Sequence, residues 1–266
     1  MTEHQEHPSS AGLWATLRES LAAGERDYTT ETIRRAVILL AVPMVLEMTM
    51  ESIFAVADVW YVSRLGVDAV AAVGLTEAMI SIIYAVAVGL SMSTTAMVAR
   101  RIGEKDPEGA AESTVQSIGL GVVVAVVIAV PGAVFAPELL RLMGGSPELV
   151  AIGTGYTKVM FGGCVTLMLL FLINAVFRGA GDAALAMRAL WLANGINIVL
   201  DPCLIFGLGP FPEMGLTGAA VATSIGRGTG VVYQMVKLHR PGSRIRLSAR
   251  SWGFDLHVMT GLILSL

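Results

Sequence analysis

Six polar side chains stand out because they interrupt long apolar runs. Glu47, Glu51 and Asp58 lie within residues 33–63, and Asn194, Asn197 and Asp201 within 183–208. At about 100° per residue, Glu51 and Asp58 are rotated only about 40° and 20° from Glu47, so the three carboxylates share one helical stripe. Asn194, Asn197 and Asp201 follow at steps of three and four and share a face likewise. A charge at the centre of a bilayer costs at least about 2.5 kcal/mol on insertion scales. Neither stripe therefore faces lipid, and carboxylates on facing helices are the apparatus of proton or sodium coupling. On a rise of about 1.5 Å per residue, Asp58 lies about 34 Å beyond Arg35 and Asp201 about 28 Å beyond Asp182, so both reach the same half of the membrane and can meet. Pro202 removes a backbone donor directly after Asp201, which suits a bend or an ion ligand.

Tyr156 and Asn174 are 18 residues apart, five full turns, and share a face of a further segment. Two readings stand for each: Asn as interhelical glue or cavity ligand, and Tyr156 as interfacial anchor or cavity wall. Glu77 is likewise open between an arginine partner and a place near the outer surface. Arg178 and Asp182 read as organisers of a turn.

The elements that position these residues follow from composition. Of 266 residues, 55% are apolar and only 15% charged, with a mean hydropathy of +0.70. A soluble domain carries roughly a quarter of its residues charged, so the long uncharged runs belong in lipid. Six segments are expected, at about 33–63, 68–99, 108–136, 148–178, 183–208 and 215–238. Asp106-Pro107-Glu108 and Ser146-Pro147-Glu148 have the cap, proline and acid of helix starts. Leu65-Gly66 and Arg178-Gly179-Ala180-Gly181-Asp182 close segments. The alternating ten-residue strands of a barrel are not present.

Orientation comes from the basic residues. Arg18, Arg26, Arg34 and Arg35, then Arg100, Arg101 and Lys105, then Arg178 and Arg188, then Lys237, Arg240, Arg244, Arg246 and Arg250 fall on one side; the other holds Arg64 and Arg141. The positive-inside bias places the N-terminus in the cytoplasm of a multi-pass protein of the cell membrane. Residues 1–31 form a polar arm without signal-peptide texture, open between a surface helix around Leu13, Trp14, Leu17 and Leu21 and a partly disordered tail. Residues 32–238 are expected to form a six-helix transmembrane lobe and 239–253 a basic linker. Residues 254–266 begin a seventh apolar run with the texture of Thr32 to Leu40, so the chain reads as the first half of a twelve-helix, all-α membrane protein.

The net charge of −3 offers no nucleic-acid surface, and Cys164 and Cys203 read as small buried apolar residues. No nucleophile-and-base pattern marks an enzyme. A seven-helix sensor would want a Lys late in its last helix, and the only Lys inside a segment is Lys158.

The ordered set Leu40-Ala41-Val42-Pro43, Ala57-Asp58-Val59, Arg64-Leu65-Gly66, Ala71-Ala72-Val73-Gly74-Leu75, Ala99-Arg100-Arg101-Ile102-Gly103, Arg178-Gly179-Ala180-Gly181-Asp182, Asn197-Ile198-Val199-Leu200-Asp201-Pro202 and Gly218-Ala219-Ala220-Val221-Ala222-Thr223 resembles the multidrug and toxic compound extrusion (MATE) family over residues 32 to about 240. The resemblance implies two six-helix lobes around a cavity, exporting organic cations and other amphipathic compounds in exchange for protons or sodium. It implies no cofactor beyond the coupling ion, and a second lobe, small organic cations and membrane lipids as partners. By matched position Asp58 resembles the family's first-helix coupling aspartate, and Asn197 with Asp201 its fifth-helix partner. Tyr156 and Asn174 take cavity positions, and Thr217 and Thr223 both stand as the hydroxyl that joins the site from the sixth segment. Glu47, Glu51 and Asn194 match no family motif and are assigned to the cavity by their stripes. The alternative is a lipid-linked oligosaccharide flippase, which would want a more basic cavity.

Overall fold

A computed structural model describes residues 10–22, 24, 31–240 and 245. The expected seventh run, 254–266, and the linker beyond Arg240 apart from Ile245 lie outside the described residues. The described chain is helical: α1 Ser10–Ser20, α2 Ile33–Ser63, α3 Val67–Gly103, α4 Pro107–Val134, α5 Ala136–Leu142, α6 Pro147–Gly162, α7 Cys164–Gly179, α8 Ala183–Phe206 and α9 Leu216–Leu238.

Helix starts lie where local chemistry puts them. Asp106 accepts from the Gly109 amide at 2.9 Å and Ser146 from the Leu149 amide at 3.2 Å, each ahead of a proline in the first turn. Asp182 caps α8 by accepting from the Leu185 amide at 3.0 Å. Gly207, at φ 67°, ends α8 in the left-handed conformation. The arm is fastened rather than free at its helical part: Glu19 pairs with Arg35 at 2.8 Å, and Arg188 donates to the Leu21 carbonyl at 2.7 Å.

The segments match expectation with two corrections. The fourth is not one helix: it breaks at Gly163 into α6 and α7, because two successive glycines supply neither side-chain packing nor helix propensity. The third ends at Val134, and the residues after it turn into the short α5, whose first turn holds Pro137. Among the described residues five spans are long and apolar enough to cross a membrane, with 147–179 counted as one. The expected sixth, α9, is less apolar because it carries Thr223, Arg227 and Gln234, and it buries Thr223 and Gln234 against protein instead of presenting them to lipid.

The lobe is centred on α3, α4, α6 and α7, and α9 joins α8 to it. Helix α2 lies on the flank, packed chiefly on α8 and only lightly on α3 and α9, with Leu39, Pro43 and Val62 as its buried residues. Helices α8 and α9 approach closely through glycine. A Cβ on Gly226 would come within 2.5 Å of the Ala193 carbonyl oxygen and 3.2 Å of the Asn197 Cβ, and one on Gly218 within 2.5 Å of the Leu204 carbonyl oxygen. Small residues of this kind let membrane helices meet backbone to backbone. Gly226→Leu is therefore expected to push α9 off α8 and cost about 1–3 kcal/mol. The check is the thermal midpoint of the solubilised protein beside Gly228→Leu, whose site has open space around it; equal midpoints for the two variants would show that the close approach does not matter.

Candidate functional site

Helices α2 and α8 run parallel and meet rung by rung. The Trp191 indole donates to the Leu46 carbonyl at 3.2 Å, and the Asn194 amide donates to a Glu51 carboxylate oxygen at 2.9 Å. These rungs join residues 145 and 143 apart in sequence, and the same offset sets Asp201 opposite Asp58. The two carboxylates act on each other through space. The two acidic and amide stripes thus face one another, because parallel helices in constant register keep equal depths together.

The polar residues fall into two groups along α2. The first surrounds Glu47, which accepts from the Arg178 guanidinium at 2.6 Å and from the Asn174 amide at 3.4 Å. Asn174 in turn accepts from Gln234 at 2.6 Å, and Gln234 also donates to the Leu170 carbonyl at 3.2 Å. This corrects the reading of Arg178 as a turn organiser: the turn is held by the Asp182 cap, and Arg178 is the counter-ion of Glu47.

The second group surrounds Asp58 and Asp201. Asp201 is 0% exposed, and among the described residues neither of its oxygens accepts a hydrogen bond. One turn earlier, Asn197 donates through Nδ2 to the Thr223 hydroxyl at 2.9 Å, which leaves its buried Oδ1 without a donor. Thr223 is thus the α9 hydroxyl beside this face, while Thr217 stands against Gly155 of α6. Tyr156, on α6 and 3% exposed, lies in electrostatic range of Asp58, Glu77, Tyr84 and Arg227. It belongs with Asp58, whereas Asn174 belongs with Glu47; the break at Gly163 separates the helices that carry them, so the face expected to be shared is divided between two groups.

Two residues of the second group, Tyr84 and Arg227, went unassigned in the sequence, and a third, Glu77, was left between two readings. Glu77 of α3 is partly buried and in electrostatic range of Arg227 and Glu51. Arg227 of α9 donates to the Tyr84 hydroxyl at 2.5 Å, its guanidinium 5.8 Å from the centre of that ring. The signal that could have found them was present: Glu77 and Tyr84 are seven residues apart, one face of α3, and an arginine inside an apolar segment demands a reason.

Long apolar helices that set carboxylates, amides and two arginines against one another on their facing sides define a multi-pass membrane protein. Residues 43–203 match the MatE family model, and the chain belongs to that family. It is similar to the probable multidrug resistance protein YoeA of Bacillus subtilis (strain 168), with 29% identity over 210 residues, 79% of this chain and 45% of that protein. It is similar also to an FAD transporter of Shewanella oneidensis, with 29% identity over 191 residues, 72% of this chain and 42% of that one. A solved structure, the outward-facing conformation of a multidrug resistance MATE family transporter, superposes with a TM-score of 0.79 at 28% identity, covering 97% of this chain and 53% of that one. The chain spans about half the length of the curated relatives it matches.

Proposed function

We propose that this chain is one lobe of a two-lobe exporter that moves amphipathic, mainly cationic compounds out across the cell membrane in exchange for a proton or a sodium ion. The coupling ion is taken at Asp58, Asn197 and Asp201. The observation that carries this is the set of buried oxygens on one face of α8, Oδ1 of Asn197 and both of Asp201, that lack any donor among the described residues, with Asp58 opposite. Buried anions without partners are costly, and their mutual repulsion is strongest where water is excluded. A proton or a small oxygen-seeking cation relieves both penalties at once, and Thr223 holds the Asn197 amide so that its carbonyl oxygen is turned toward the incoming ion.

Glu51, with Asn194, and Tyr156 extend the polar wall beyond the ion site, while Glu47 and Asn174 belong to the ion-paired group at the middle of α2. The N-terminus lies in the cytoplasm by the distribution of arginine and lysine. The second lobe supplies the other wall of the cavity, and transport is rocking of the two halves around the shared site. The names of the relatives differ in substrate, multidrug for one and FAD for another, so the substrate class rests on the residues: carboxylates and adaptable methionines rather than a cluster of bases. A lipid-linked glycan flippase is not favoured, because the acids of α2 would repel a pyrophosphate.

The test is efflux of ethidium. Cells making the two-lobe protein are expected to tolerate several-fold more ethidium than controls, and proteoliposomes to move it only when a proton or sodium gradient is imposed. Ethidium movement indifferent to both gradients, or none at all, overturns the proposal.

A further inference from the structure

The charge on Arg227 is not accounted for by ion coupling. An arginine inside a membrane helix costs at least about 2.5 kcal/mol, and if its purpose were to neutralise the acids it would sit in an ion pair with one. It does not: among the described residues no carboxylate lies within ion-pair distance of Arg227, whereas Arg178 is paired with Glu47 at 2.6 Å. Arg227 is instead anchored by a neutral group. The Tyr84 hydroxyl accepts one of its donors, and the Tyr84 ring lies beside the guanidinium. That ring is itself fixed by an edge contact with Phe171, the centroids 5.7 Å apart at 75°. A guanidinium has five donors in a rigid fork. The remaining ones stay available, because Arg227 is partly exposed and none of its nitrogens is sealed without a partner. Asp58 and Glu51 of α2 and Glu77 of α3 are all in electrostatic range of it, and α2 packs only lightly on α3 and α9.

We infer that Arg227, held by Tyr84, is an anion subsite, so that this lobe binds zwitterions: amphipathic molecules whose positive group lies against the acids of α2 and α3 while a carboxylate is gripped by the guanidinium fork. The inference rests on the export reading for its place in transport, but the subsite itself is a matter of binding. The planar fork matches a carboxylate bidentately, which a lysine ammonium does not. A purely cationic compound gains from the acids and is repelled by Arg227. A zwitterion gains from both, its positive group drawn to the acids and its carboxylate to Arg227.

The experiment measures binding of a fluorescent rhodamine with a free carboxylate, and of its methyl ester, to the two-lobe protein in nanodiscs, for wild type, Arg227→Gln and Arg227→Lys. The wild type is expected to prefer the acid, and Arg227→Gln to shift the ratio of the two Kd values toward the ester by about tenfold or more. Arg227→Lys, which keeps the charge but not the fork, is expected to fall between the two. Binding of the ester by each variant shows that it is folded. Equal weakening of both rhodamines in Arg227→Gln, or no change in their ratio, overturns the subsite and makes Arg227 a structural counter-charge. Proteoliposomes keep the two claims apart. A wild type that prefers the acid through Arg227 yet moves neither dye under any gradient refutes export and leaves the subsite standing. A wild type that moves the ester while Arg227→Gln leaves the binding ratio unaltered refutes the subsite and leaves export standing.

Discussion

Asp58→Asn in the two-lobe protein is expected to reduce gradient-driven efflux to background while leaving the amount of protein in the membrane unchanged. Asparagine keeps the shape of the side chain and removes its charge, and Asp58 makes no hydrogen bond among the described residues, so the fold loses little. What is lost is one of two carboxylates that face each other between α2 and α8. On the proposed coupling role, Asp201 alone still attracts a cation, but the pair of opposed carboxylates is gone. Transport driven by a proton or sodium gradient should vanish, whereas binding of dye in the absence of a gradient should persist. Undiminished gradient-driven efflux in this variant would remove Asp58 from the coupling site.

The largest stability effect is expected at the middle of α2. The Glu47 side chain is 12% exposed and that of Arg178 is 24% exposed, and they meet at 2.6 Å. Removing one member of such a pair strands the other, at a cost of about 3–5 kcal/mol, whereas replacing both charges is far milder. Arg178→Ala should therefore shorten sharply the lifetime of monodisperse protein on warming, and Glu47→Gln added to Arg178→Ala should recover most of the loss. The recovery is the informative part, because it separates a stranded charge from lost packing of the arginine stem. If the double variant is no better than the single one, Glu47 is not stabilised by Arg178, and its carboxylate belongs with the exchangeable acids of the cavity.

Much of this architecture is written locally. The starts of α4, α6 and α8 depend on Asp106, Ser146 and Asp182, each of which bonds an amide three residues on. The stripes of Glu47, Glu51 and Asp58, and of Asn194, Asn197 and Asp201, need only the 3.6-residue period. That the two stripes share a depth follows from counting residues along parallel helices. The break at Gly163 was also in the chain, as two successive glycines, but apolar residues on both sides made 148–178 read as continuous.

Partner choice is another matter. Arg178 meets Glu47 across 131 residues and Arg227 meets Tyr84 across 143, and nothing within one turn of either arginine names its partner. Which of Thr217 and Thr223 meets Asn197 depends on the rotation of α9 about its own axis, and that rotation is set by Gly218 and Gly226 seated on the carbonyls of α8. The sequence by itself determined the helices, their caps and the polar faces that lipid cannot accept, because those are consequences of backbone period and of the cost of a charge in hydrocarbon. Only the tertiary structure decided that one arginine neutralises Glu47 while the other is held by a tyrosine and left facing the acids, because a charge is paired or left available by the rotation and register of helices far apart in the chain.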